Sequence, residues 1–320
     1  MSAVQGKLRN HTVWRLSLSI VTACLSLPSF TVHAATHGKP LVAVEEDTSP
    51  TVHTAAHSFE KLSRYYRFES VEMTALDGSH HYRVTIGHPL VASFIQPDNR
   101  SAKPVIYMLD GTAALRALDE TTLQGLHPGA PLPVIVTVAH DPEKRQQDRA
   151  KDYTPPVANT ASPEDQQRYG GANNFWHFLE VAVKPYVAQR TLIDPQQQTL
   201  WGHSFGGLFA LYTLFNHPQS YQRYVAADPS LWWQDGALLQ DEAAYRQRSQ
   251  RPTGELLVMH SASRRSSDDL GDDATRRLAE RLSALPELSV RYHDYFELHH
   301  GSVRPASIPS ALRLAQGLKN

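Results

Sequence analysis

In this 320-residue chain, Gly202-His203-Ser204-Phe205-Gly206 is the stretch whose residue types and spacing carry the clearest potential for chemistry. Thr199-Leu200-Trp201 before it reads as the end of a buried strand, and the apolar run 208–215 after it reads as a helix. A Gly-x-Ser-x-Gly sequence at a strand-to-helix turn is a nucleophile elbow, in which a strained backbone holds a serine hydroxyl clear of the sheet. Glycine is expected on both sides because a side chain there would collide with the neighbouring strand or helix. Such a serine attacks an acyl carbon only with help. It needs an imidazole to take its proton and N–H groups to hold the developing oxyanion, and a carboxylate can orient the imidazole.

The elements that must position these groups show as alternating runs. Residues 68–76 and 82–87 are β-rich and separated by Asp77-Gly78, a hairpin turn signal. The runs 105–109 and 133–139 are continuously apolar, as expected of strands buried on both faces. Strands are also expected at 198–201, 221–227, 256–259 and 288–296, and helices at 112–126, 175–187, 208–215, 269–285 and 305–318. Strands alternating with helices predict a mostly parallel central sheet, helices on both faces and an antiparallel hairpin at the N-terminal edge, which together with the elbow is an α/β-hydrolase fold.

In that fold the nucleophile, the acid and the histidine follow one another along the chain. The histidine is therefore expected beyond the last strand, at His299-His300-Gly301. His300 is preferred, since Gly301 lets the loop bend and Ser302 or Val303 could open the next helix; His299 is the alternative. The acid stays open. No carboxylate directly follows the strand ending at Met259-His260, which leaves Asp228 at the end of the preceding strand, Asp268 or Asp269 further on, or no acid at all. A dyad is chemically workable because the acid orients the imidazole without taking the proton. The oxyanion donors are expected to be the N–H of Phe205 and that of Gly111 or Thr112, after the strand 105–109. The other histidines, including His80, His81 and His203, are expected to pack or to face solvent. No spacing among them suggests a metal site, and no cofactor is required.

Composition sets further limits. With 41% hydrophobic residues the chain can bury a full core, and 31 basic against 32 acidic side chains leave no basic stripe for nucleic acid. Lys7, Arg9 and Arg15 precede a short apolar run, 16–27, ended by Pro28, and Val32-His33-Ala34 offers a cleavage site. This reads as a secretory signal peptide over 1–34, and hence a periplasmic or secreted protein with no membrane span. Cys24, the only cysteine, falls inside it, so Val21-Thr22-Ala23-Cys24 could alternatively be a lipidation site that anchors the protein. Residues 35–58 show no periodicity and read as a flexible lead-in to a hydrolase domain over 59–320.

Several stretches, in order, carry a resemblance. They are Pro104 to Gly111, Asp152-Tyr153-Thr154-Pro155, Gly170-Gly171-Ala172-Asn173-Asn174-Phe175, Gly202 to Leu211, Pro229-Ser230-Leu231-Trp232-Trp233 and His300-Gly301-Ser302-Val303. From about Phe68 to its end the chain resembles the esterase-D-like α/β-hydrolases, in particular the periplasmic siderophore esterases that open the trilactone of enterobactin and salmochelin. The resemblance implies ester hydrolysis by Ser204 and His300 on a small-molecule ester, with a Ser-His dyad acceptable. It also implies that Arg149 contacts an anionic or catecholate substrate and that Trp232 or Trp233 offers a wall to a flat ring. Asp228 departs from the pattern, standing where a serine is expected in these relatives. The competing expectations are a general exported carboxylesterase, an acyltransferase, and a hydrolase-fold module that only binds.

Overall fold

The computed structural model of the chain describes residues 63–90, 101–126, 129–261 and 273–318. The expected leader with Cys24, the lead-in 35–58, and Asp268 and Asp269 lie outside these residues. Eight strands, β1 (Tyr66–Thr74), β2 (His81–Pro89), β3 (Lys103–Met108), β4 (Val134–His140), β5 (Ile193–His203), β6 (Arg223–Ala227), β7 (Gly254–Ser261) and β8 (Leu288–Tyr295), form one sheet. Their spatial order is β1-β2-β4-β3-β5-β6-β7-β8. β1 and β2 pair antiparallel, as do β2 and β4, and the remaining neighbours are parallel. Gly78 takes the left-handed conformation (φ 73°) that the first hairpin requires.

The apolar runs serve two faces at once. Val105, Tyr107, Val134, Val136, Leu200, Tyr224 and Leu256 enter one core cluster, while Ile106, Met108, Ile135, Trp201, Val225 and Leu257 enter a second. Successive residues of a strand point to opposite sides, so a run without polar interruptions marks a strand covered above and below. One cover is α1 (Gly111–Ala117), α2 (Glu120–Gln124) and α10 (His300–Ala315), which place Ala114, Leu123, Ile308 and Leu312 in the second cluster. The other includes α5 (Ala172–Phe178), α7 (Phe205–Asn216), α8 (Leu238–Gln247) and α9 (Ala274–Ser283).

The helices depart from expectation at several points. The run 112–126 is broken in two because Asp119 accepts a hydrogen bond from the Thr122 N–H and starts a new helix there. α5 continues through a π turn (Leu179–Val183) into α6 (Lys184–Ala188). α10 begins at His300 rather than near 305. Three helices were not expected: α3 (Arg145–Asp152), α4 (Pro163–Arg168) and α8. α3 buries Asp148 and Asp152 with only Ala150 beside them, and α8 buries Glu242 between Leu238 and Tyr245. Asp152 of α3 meets His140 at 2.9 Å, and Glu242 of α8 meets Arg281 at 2.6 Å. Buried carboxylates at these positions interrupt the apolar spacing that marks a helix.

The junction between β5 and α7 is tight, though not in the way the motif suggests. A Cβ on Gly202 would come within 2.2 Å of the Gly206 carbonyl oxygen, so only glycine fits. A Cβ on Gly206 would meet Leu109 at 3.5 Å, an ordinary contact. The second close approach is at Gly207, where a Cβ would lie 3.1 Å from Pro229 Cα and 3.2 Å from the Ala227 oxygen. Gly206→Ala is therefore expected to shift the melting temperature by less than about 3 °C, and Gly202→Ala to lower it by more than about 10 °C or prevent folding. Thermal melts followed by circular dichroism check this; equal behaviour of the two variants would contradict the steric account.

Candidate active site

Asp110, Ser204 and Asp228 follow β3, β5 and β6, three neighbouring parallel strands, and all three have positive φ (53°, 61° and 45°). Left-handed backbone at residues with a Cβ costs on the order of 1–3 kcal/mol each and persists only where the surroundings impose it. Here hydrogen bonds do so. The Ser204 N–H donates to the Ala227 oxygen (3.0 Å) and the Asp228 N–H to the Met259 oxygen (2.7 Å). The Asp110 N–H donates to the Tyr153 hydroxyl (3.1 Å). The carboxyl ends of parallel strands are where open α/β sheets bind ligands.

His300, the first residue of α10, places Nδ1 2.7 Å from Asp228 Oδ2. Asp228 also accepts from the Ser261 hydroxyl (2.6 Å) and, through Oδ1, from the Ser261 N–H (3.1 Å). Burial works to raise the Asp228 pKa, but the hydrogen bonds from His300 and Ser261 outweigh it and hold the carboxyl below its ordinary value. His299 is exposed and its ring bonds Ser302 instead. Ser204 Oγ lies 3.1 Å from Ser230 Oγ, and Ser204 and His300 line the same cavity of about 290 Å³. Among the described residues, Asp228 is the carboxylate whose hydrogen bond to the imidazole is seen, and Asp268 and Asp269 lie outside them.

His203 has a more specific place than general packing. Its Nε2 is 2.7 Å from the His300 carbonyl oxygen, and the two rings are 4.6 Å apart. A carbonyl only accepts, so Nε2 carries the proton. Burial, with His300 adding to it, pushes the His203 pKa down to about 4 and keeps the ring neutral. His203, Asp228 and His300 could bring one ligand atom each within 4.8 Å of one another. Both oxygens of Asp228 accept hydrogen bonds, and His203 Nε2 donates to the His300 carbonyl rather than to the carboxylate.

Two helix starts face this region. Phe205 opens α7 and Gly111 opens α1, and the first N–H groups of a helix have no acceptor within it. Gly111 is packed against β4, where a Cβ would come 2.7 Å from the Val138 carbonyl carbon. Thr112 lines the cavity. N–H groups so placed can stabilise a negative oxygen, helped by the positive end of each helix dipole.

Arg149 on α3 reaches the cavity, but its fork is largely occupied. Nε and Nη2 contact Asp110 Oδ1 and Oδ2 at 2.6 and 2.9 Å, and Nη2 also donates to the His203 oxygen at 3.0 Å. The side chain thereby ties the loop after β3 to the elbow and leaves only Nη1 for a ligand. Burial opposes ionisation of Asp110, yet Arg149 beside it keeps the carboxyl below its usual range. Trp232 is half-buried beside Phe205, with centroids 6.0 Å apart, while Trp233 is buried against Tyr169. Neither tryptophan is among the cavity-lining residues. No local pattern marks Ser230, the partner of the Ser204 hydroxyl, or Ser261, which bonds Asp228 from the end of β7.

The Esterase family model matches residues 84–300. Ferri-bacillibactin esterase BesA of Bacillus subtilis (strain 168) is 30% identical over 243 residues, 71% of this chain and 84% of that protein. Apo-salmochelin esterase of Escherichia coli O6:H1 is 33% identical over 266 residues, 79% of this chain and 80% of that protein. The solved structure of the enterobactin hydrolase IroE in complex with DFP superposes with a TM-score of 0.65 at 30% identity, covering 81% of this chain and 99% of that one.

Two outcomes follow for the buried charges. Asp110→Asn strands the Arg149 guanidinium in a mostly buried position and is expected to cost about 3 kcal/mol in urea unfolding. Because folding lowers the Asp228 pKa, its ionised form stabilises the fold above the ordinary value of 3.8, and that contribution fades as pH falls toward the folded value. The urea midpoints of the parent and of Asp228→Asn should therefore differ at neutral pH and converge below pH 3.8. A gap that widens in acid would contradict the assignment.

Proposed function

Since the chain belongs to the Esterase family, we propose that it hydrolyses siderophore trilactone esters through Ser204, His300 and Asp228. That it is an ester-hydrolysing enzyme follows from its relatives. The mechanism rests chiefly on one observation: the 2.7 Å contact between His300 Nδ1 and Asp228 Oδ2, behind a cavity that His300 shares with the Ser204 hydroxyl. In the proposed reaction the Ser204 hydroxyl gives up its Ser230 partner for His300, which lines the same cavity. His300 Nε2 then takes the hydroxyl proton as Oγ attacks the ester carbonyl. Asp228 accepts the Nδ1–H throughout and stabilises the imidazolium without taking its proton. The oxyanion rests on the Phe205 N–H and that of Gly111 or Thr112. The alcohol departs with the proton from His300, and water repeats the sequence on the acyl-enzyme.

The substrate class comes from the relatives' names, each of which states a siderophore or an esterase acting on one. One is named for a ferri form and another for an apo form, so similarity leaves the iron state of the substrate open. The basic N-terminal residues and apolar run 16–27 favour action outside the cytoplasm.

A fluorophosphonate probe is expected to label the protein at Ser204 and to leave Ser204→Ala unlabelled. Hydrolysis of a catecholate trilactone should fall by more than about 10³-fold in kcat for Ser204→Ala, and by roughly 10²- to 10⁴-fold for Asp228→Asn. Absence of labelling would favour a binding module. Faster turnover of a small p-nitrophenyl ester than of the trilactone would favour a general carboxylesterase.

A further inference from the structure

The cavity at Ser204 and His300 holds more positive charge than the proposed chemistry uses. Arg145, Arg149 and Arg304 line it, and Asp110 is the one carboxylate among its lining residues. Arg149 and Asp110 neutralise each other. Arg145 and Arg304 make no side-chain hydrogen bond or ion pair among the described residues. Arg304 lies four residues beyond His300 on α10, a spacing that puts both on one helix face. Arg145 stands four before Arg149 on α3. Two uncompensated guanidinium groups thus reach one cavity from two separate helices.

Helix stability does not explain Arg145. Arg145 is the first residue of α3 and follows Lys144, and a cation at a helix N-terminus is disfavoured by about 0.3–1 kcal/mol. A guanidinium fork does match paired oxygens of an anion. Size adds a constraint. At about 290 Å³ the cavity is at the lower end of ligand pockets, so it takes one ester arm and leaves the bulk of a trilactone at its mouth. Arg145 is exposed there and Arg304 half-buried. An iron(III) complex of three catecholates is triply negative, whereas the iron-free trilactone is uncharged at neutral pH. We infer that Arg145 and Arg304 form an anion-binding pair that selects the iron-loaded catecholate ester over the iron-free one. This rests on the siderophore reading above.

The test compares the parent with Arg145→Gln, Arg304→Gln and the double variant on two substrate pairs. One pair is an iron-free and an Fe³⁺-loaded tris-catecholate trilactone. The other is a neutral p-nitrophenyl ester and the same ester bearing a terminal carboxylate. The double variant should raise KM for each anionic substrate by about 10-fold or more, since one charged contact is worth roughly that factor. Its kcat, and its KM for the neutral partners, should change by less than about twofold. High salt should reproduce the KM effect in the parent, and the lysine variants should restore part of it. Equal KM increases on neutral and anionic substrates, or none, would overturn the anion pair. If no trilactone is cleaved while the ester pair keeps its arginine-dependent charge preference, the siderophore reading fails and the anion pair stands. If every variant cleaves both iron states equally, the anion pair fails and the esterase stands.

Discussion

At the ends of β3, β5 and β6 the chain must turn left-handed through residues that carry a Cβ, and the site depends on the packing that makes these turns unavoidable. Gly202 lets β5 approach the start of α7 so closely that a Cβ there would meet the Gly206 carbonyl, and Ser204 turns between them with positive φ. Gly111 likewise lets the start of α1 lie against the β4 backbone. The strain this stores, on the order of 1–3 kcal/mol at each turn, is offset by two apolar clusters that fix the strands from both faces. A looser sheet would let the turns relax, and the hydroxyl, the imidazole and the helix N–H groups would lose their common focus.

Charge is arranged in layers around that focus. Asp228 sits behind His300, buried and doubly bonded to Ser261, where it can favour an imidazolium without competing for the cavity. His203, held neutral, ties the His300 carbonyl to the elbow and adds no charge of its own. Arg149 and Asp110 form a bidentate pair that couples the loop after β3 to the His203 carbonyl. Electrostatic stabilisation of an oxyanion needs donors that do not reorganise during the reaction, and these ties supply that rigidity on the proposed mechanism. The remaining positive charge lining the cavity is Arg145 on α3 and Arg304 on α10.

The eight strands among the described residues and the general course of five helices were legible in the sequence, because a two-residue alternation or an unbroken apolar run reports burial directly. α3 and α8 were not. Their buried faces carry Asp148, Asp152 and Glu242, whose partners His80, His140 and Arg281 lie in distant segments. The elbow motif was read correctly as a sharp turn, yet the second glycine under steric demand is Gly207 rather than Gly206, since that depends on where Pro229 and the Ala227 oxygen come to lie.

The sequence by itself determined the sheet-forming segments, the tight turn around Ser204 and the presence of a histidine beyond the last strand, all of which are local patterns. Tertiary structure alone decided which carboxylate meets that histidine and what Arg149 holds. The Asp228–His300 contact joins residues 72 apart in the chain and the Asp110–Arg149 contact residues 39 apart. No local period encodes such distances; they are set by the strand order that brings β3, β5 and β6 side by side.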